Sequence, residues 1–144
     1  HERGDRYLKL ISESERSGLY AFRTLRAAGV TLAAGSDAPV TAPDPLRSAA
    51  AAVQRRTAGG RGLTAEEAVD YGEALEWWTV GAAYAGFLSD QSGSLRPGRR
   101  ADLVLLSSDS SGAPSCTAGG PSVRRVWRAG QEIAPALDSE AEHK

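Results

Sequence analysis

Among the side chains of this sequence, the carboxylate of Asp37 stands where a carboxylate can do chemistry. It follows Val30 to Ala34 (VTLAA), a short apolar run, β-branched at its start, that reads as a buried strand. Asp37 therefore falls just beyond a strand's carboxyl end, where parallel α/β folds collect their catalytic groups. Gly35 leaves room beside it and Ser36 adds a small polar neighbour. The competing reading is structural: an aspartate two residues before Pro39 can simply cap a turn. From position alone that second reading is the stronger.

Other chemical signals are weaker. Gly60 to Ala65 formally matches a glycine-rich dinucleotide pattern, but it follows a helical run rather than a strand. Ser36 is flanked by Ala34 and Ala38, so it sits in no G-x-S-x-G elbow. His1 and His143 lie at opposite ends with no metal-ligand spacing. Cys116, the single cysteine, is surrounded by loop-forming residues and reads as an ordinary thiol. Trp77, Trp78 and Tyr84 fall on a helical stretch and read as packing residues.

The elements that must hold Asp37 follow from periodicity and punctuation. Ser17 to Ala28 fits a helix stopped by Gly29, and the strand Val30 to Ala34 comes next. That helix–glycine–strand succession is the half-unit of a parallel α/β fold. Asp44-Pro45 marks a helix start that runs through Leu46 to Thr57 and ends at Gly59-Gly60. Thr64 and Glu67 have the spacing of a capping box for a further helix. Helical character, broken at Gly72, continues from Glu73 to Phe87, with Leu75, Trp78, Thr79, Ala82, Ala83 and Phe87 on one face. Beyond a turn at Gly93 to Gly98, strands are expected at Ala101 to Leu106, Ser122 to Arg128 and around Glu132-Ile133. Ser107 to Ser122 reads as a flexible loop, and the tail from Pro135 as frayed.

Composition bounds the class. The 144 residues carry 17 basic and 18 acidic side chains, a formal charge of −1, which excludes the basic face of a nucleic-acid binder. No apolar run approaches the roughly 20 residues of a membrane span, so no membrane partner is expected, and a cytoplasmic location is. Leu, Ile, Val and Phe total only 26, whereas alanine alone supplies 25, so helical material is plentiful and bulky core residues are few. Position 1 is His1 and no Met occurs anywhere, so the chain reads as an internal or C-terminal piece of something longer. It is too short for a complete (β/α)8 barrel of about 250 residues.

Three segments, in this order, resemble the metal-dependent amidohydrolases, specifically the family 3 branch of YtcJ-like and N-substituted formamide deformylase-like proteins. AGVTLAAGSDAPV (28–40) resembles the eighth barrel strand and its loop, followed by Pro43-Asp44-Pro45-Leu46 and AAVQRRT (51–57). LTAEEAVDYGEALEWWTVGAA (63–83) resembles the helical segment after the barrel. GSLRPGRRADLVLLSSD (93–109), then VRRVWRAGQEI (123–133), resembles the return of the chain to a small β-sandwich domain. In the motif G-(S/T)-(I/L)-x-x-G-(K/R)-x-A-D-(L/F)-V the matching residues are Gly93, Ser94, Leu95, Gly98, Arg99, Ala101, Asp102, Leu103 and Val104.

The resemblance implies an α/β fold: the C-terminal fragment of a (β/α)8 TIM barrel plus strands of the small composite β-sandwich. Residues 1–90 would hold the last β/α unit or units and following helices, 91–135 the return strands, and 136–144 a disordered tail. It implies a hydrolase of non-peptide carbon–nitrogen bonds in small amide-like substrates. Asp37 would be both the metal-binding and the catalytic residue, ligating a divalent metal (zinc first) or its bound water and shuttling the proton. The family's H-x-H pair, bridging lysine or acid and further histidines have no counterpart here, so the chain alone is expected to be inactive. Its implied partner is the missing N-terminal barrel portion of the same protein. The alternatives are a non-catalytic remnant or interaction module derived from such an enzyme, and an unrelated small α/β binding domain.

Overall fold

The computed structural model describes residues 1–107 and 120–135. Cys116, His143 and the expected tail lie outside the described residues, as does most of the expected loop at 107–122.

The first two thirds of the chain are helical. Helix α1 (Gly4–Leu10) and a 3-10 turn (Glu13–Gly18) precede α2 (Phe22–Ala27). Helix α3 spans Pro45–Gln54, and a second 3-10 turn covers Ala65–Glu67. Helix α4 (Tyr71–Glu76) runs through a π turn (Trp77–Gly81) directly into α5 (Ala82–Ala85).

The helix expected from Asp44-Pro45 forms for the anticipated reason. The Asp44 carboxylate accepts from the Arg47 N–H at 3.0 Å, and Pro45 occupies the first helical position. Ala49 and Ala52 then face Val69 and Ala74 in a core whose larger members, Phe22, Tyr71, Leu75 and Trp77, are only partly buried. The helix does not continue to Gly59-Gly60. It ends at Gln54 because Arg55 turns left-handed (φ 49°), its guanidinium held by the carbonyls of Leu19 (2.9 Å) and Thr64 (3.2 Å). That guanidinium also lies 5.2 Å from the centre of the Phe22 ring.

The capping box is overturned. Thr64 is itself left-handed (φ 45°), makes no cap bond, and is followed by a single 3-10 turn. Glu67 instead caps another element: its carboxylate accepts from the Thr24 N–H (3.0 Å) and the Thr24 hydroxyl (2.5 Å). Helix α2, shorter than the expected 17–28 run, starts after Ala21, which has no side-chain acceptor; Glu67 supplies one from elsewhere in the chain. The break expected at Gly72 is absent, because Asp70 accepts from the Glu73 N–H at 2.8 Å and starts α4 ahead of the glycine. Phe87 lies off the expected packed face, 95 % exposed at φ 57°.

Val30 to Ala34 does not form a strand. Leu32, Ala34 and Ser36 are half-buried while Thr31, Ala33, Gly35 and Asp37 are exposed, the period-two alternation of an extended segment. No neighbouring strand lies beside it among the described residues, so no ladder exists for it to join.

Strands β1 (Leu103–Ser107), β2 (Ser122–Arg128) and β3 (Gln131–Pro135) form one antiparallel sheet in the order β1-β2-β3. Leu103 faces Trp127 and Val104 faces Val126, with a bulge after Leu105. Ala129 (φ 51°) and Gly130 (φ 80°) make the two-residue turn between Arg128 and Gln131, a hairpin geometry that needs positive φ twice. Asp102 fastens that turn by accepting from the Ala129 N–H at 2.9 Å. The architecture is thus mixed helix and strand with, among the described residues, one small antiparallel sheet, coarser than the barrel fragment and sandwich expected.

Replacing Asp44 with Ala removes the cap of α3 and should lower the unfolding free energy by about 1 kcal/mol, with Asn costing less, as read by urea denaturation. Among the described residues, three carboxyls are held below their ordinary range. Arg61, then the Gly59 N–H, hold Asp5 down, Thr24 holds Glu67, and Arg100, then the Ala129 N–H, hold Asp102. A carboxyl with a depressed folded pKa stabilises the fold above its unfolded pKa and loses that contribution as pH falls through the folded value. The urea midpoint should therefore decline on acidification below the ordinary values of 4.5 for Glu67 and 3.8 for the aspartates. Glu67→Gln should flatten part of that decline.

Candidate active site

Asp37 sits at the mouth of a short, self-contained turn. The Val40 N–H bonds the Asp37 carbonyl at 2.9 Å across a cis Ala38-Pro39 bond, which makes a type VI turn. Within it, the Ser36 Oγ accepts from the Ala38 N–H at 3.3 Å, and the Thr41 hydroxyl donates to the Ser36 carbonyl. The turn's side-chain acceptor is therefore Ser36, not Asp37. Asp37 itself is left-handed (φ 57°) and exposed, and no hydrogen bond or ion pair from a described residue reaches its carboxylate. The structural reading of Asp37 as a turn cap thus finds no bond to support it. A carboxylate in this state can accept a proton or ligate a cation.

Behind the turn, the extended segment is tied to the helical layer by the Ala34 N–H, which donates to the Trp77 carbonyl at 3.0 Å. Trp77 opens the π turn, and its ring packs 4.8 Å from that of Phe22, centre to centre. A cavity of about 410 Å³ lies against this segment, with Ala33, Ala34 and Gly35 on one wall and Tyr20, Phe22 and Trp77 among the others. A wider groove, about 1760 Å³, separates α3 and α5 from the sheet and is lined in part by Trp78, Leu95, Leu103 and Trp127. Asp37 lines neither.

Of the remaining candidates, the structure describes His1, Trp77, Trp78 and Tyr84. The His1 Nδ1 lies 3.0 Å from the Arg56 carbonyl, in a structural bond. Trp77 packs, whereas Tyr84 is 61 % exposed and does not. Among the described residues no group of three or more His, Cys, Asp or Glu side chains converges to hold a metal ion. No helix among them is long and apolar enough to cross a membrane. The residues that sequence reasoning missed are those under the Asp37 segment, Trp77 and Gly81. A lone glycine inside a helical run was the available signal, since it costs helix stability unless close packing requires it.

Sequence and fold are both shared with known proteins. The amidohydrolase family model matches residues 7–134. Over 103 residues the chain is 39 % identical to the protein LONG AFTER FAR-RED 3 of Arabidopsis thaliana, a match covering 71 % of this chain and 18 % of that one. It is 35 % identical over 95 residues to the N-substituted formamide deformylase of Arthrobacter pascens, covering 66 % of this chain and 18 % of the relative. The crystal structure of an amidohydrolase from Thermotoga maritima MSB8 superposes with a TM-score of 0.57 at 26 % identity, over 81 % of this chain and 26 % of that one. The chain thus spans under a fifth of the length of the curated relatives it matches.

Proposed function

This chain belongs to the amidohydrolase family, and on that premise we propose that it is the C-terminal portion of a hydrolase that cleaves non-peptide carbon–nitrogen bonds in small amides. The observation that carries the reading is Asp37: an exposed carboxylate with no partner among the described residues, at the end of an extended segment in a chain that matches the family from residue 7 to 134. In the proposed reaction Asp37 takes a proton from water as the water oxygen bonds to the carbonyl carbon. The same proton passes to the nitrogen as the C–N bond breaks, and the products are a carboxylic acid and an amine.

The family generally uses divalent metal, and zinc is the ion this reading favours. The described residues do not by themselves fit one, since Asp37 has no convergent His, Cys, Asp or Glu neighbours and a catalytic zinc takes about three protein ligands. On this reading the other ligands come from outside the described residues. The partner in this reading is the preceding portion of a longer protein. Among the described residues no large side chain is fully buried, while Leu10, Leu95 and Phe87 are 69 %, 81 % and 95 % exposed. Supplying that portion to the chain would cover apolar surface and bring the missing ligands to one site.

In the full-length protein, assayed on N-substituted formamides and related small amides, Asp37→Asn should lower kcat by about 100- to 10,000-fold. Asn tolerates the left-handed backbone, so the thermal unfolding midpoint should stay put. Turnover near the wild-type rate in a folded Asp37→Asn protein would remove the proposal.

A further inference from the structure

We propose that Gly81, together with the Trp77 carbonyl, is the seat that positions Asp37. This inference rests on the reading of Asp37 as the proton carrier. Among the described residues, the surface against which the extended segment before Asp37 lies is helical. That surface is the π turn Trp77–Gly81. The wider turn carries the Trp77 carbonyl that receives the Ala34 N–H, and four residues on the helix presents bare backbone at Gly81.

The fit at Gly81 leaves no room for a side chain. A Cβ there would overlap the Leu32 carbonyl oxygen, lying 3.2 Å from the Leu32 carbonyl carbon and 3.3 Å from the Ala33 Cα. All three atoms are backbone, so no rotamer change relieves the overlap; the segment itself must move. Gly81 is buried and lies in the interior of a continuous helical run, where glycine is among the least favoured residues. Its presence is explained by the approach it permits. Displacement at Leu32 and Ala33 propagates along a stretch that ends at Asp37, where the type VI turn from Asp37 to Val40 moves as a unit with it. Gly81 touches neither substrate nor reacting atoms and is a positioning residue.

The test is kinetic and uses the full-length protein with Gly81→Ala, Asp37→Asn and the double variant on the same small amides. Gly81→Ala should lower kcat by about 100-fold, the size of loss that a displacement of about 1 Å produces. KM should change by less than about threefold, because a proton carrier acts in the transition state rather than in ground-state binding. The double variant should be no slower than Asp37→Asn alone, the non-additivity expected of two changes acting through one group. Wild-type kcat in Gly81→Ala, or a full additional loss in the double variant, would overturn the inference while leaving Asp37 in its role. Wild-type kcat in Asp37→Asn would instead overturn the role of Asp37. If Gly81→Ala does not fold, a crystal structure of the wild-type protein decides. The Leu32 carbonyl oxygen in contact with the Gly81 Cα and the Ala34 N–H on the Trp77 carbonyl are expected; separation of that first pair beyond van der Waals range overturns the seat.

Discussion

An extended backbone cannot satisfy its own hydrogen bonds, and the segment from Val30 to Gly35 has no strand beside it among the described residues. Two donors are satisfied, the Val30 N–H by the Leu25 carbonyl and the Ala34 N–H by the Trp77 carbonyl, and the segment between them lies in contact with the helix beneath. The structure meets that constraint by stripping the contact surface to backbone. Gly81 removes the Cβ that would obstruct Leu32, and the alanines at 49, 52, 74 and 83 keep the neighbouring helical layer thin. An alanine-built core permits close approach, but each buried methyl contributes little. With about 0.8 kcal/mol per buried CH2-sized group, this core holds together far less strongly than one built from Leu and Ile.

Polar clips supply part of what the core lacks, and each joins elements distant in sequence. Arg55 gathers Leu19, Thr64 and the Phe22 ring around one buried guanidinium. Burial lowers its pKa, yet an arginine stays charged, so the site is tolerable only because its N–H groups find carbonyls. Glu67 caps α2 across 43 residues, and Asp5 accepts from Thr57 (2.9 Å), the Gly59 N–H (2.9 Å) and Arg61 (2.8 Å), fixing α1 to the loop after α3. A fold assembled this way depends on ionised carboxylates and on particular backbone carbonyls as well as on apolar area.

This division explains what could be read from the sequence. Local chemistry was legible: Asp44-Pro45 starts α3, and Ser122 to Arg128 forms β2 over the expected residues, closed by the Ala129-Gly130 turn. The helix start and the hairpin turn depend on neighbours within a few positions, and β2 pairs with β3 across that turn, although it also pairs with β1. Several of the errors involve partners outside the local stretch, although the break expected at Gly72 fails for a local reason, the Asp70 cap. Thr64 and Glu67 carry the spacing of a capping box, but their side chains are claimed by Arg55 and Thr24 respectively. Gly59-Gly60 looked like a helix stop, but tertiary contacts of Arg55 end the helix several residues earlier. VTLAA has the composition of a buried strand and lacks, among the described residues, anything to pair with. At the candidate site the sequence singled out Asp37, while the residues beneath it stayed hidden because a carbonyl acceptor and an absent Cβ leave almost no trace in residue type.

The backbone at Asp37 argues a further step. A non-glycine residue with positive φ is disfavoured unless it gains something locally, and Asn or Asp usually gains a hydrogen bond from its own side chain to the backbone nearby. Here that bond belongs to Ser36, whose Oγ takes the Ala38 N–H, and the Thr41 hydroxyl closes the turn on the Ser36 carbonyl. Glycine at 37 would satisfy the same geometry at lower conformational cost in the folded state. Nothing in the turn therefore requires a carboxylate at this position, and within the described residues nothing binds it. On the proposed reading the Asp37 carboxylate is the proton carrier, and the bare backbone under Leu32 would belong to the same device.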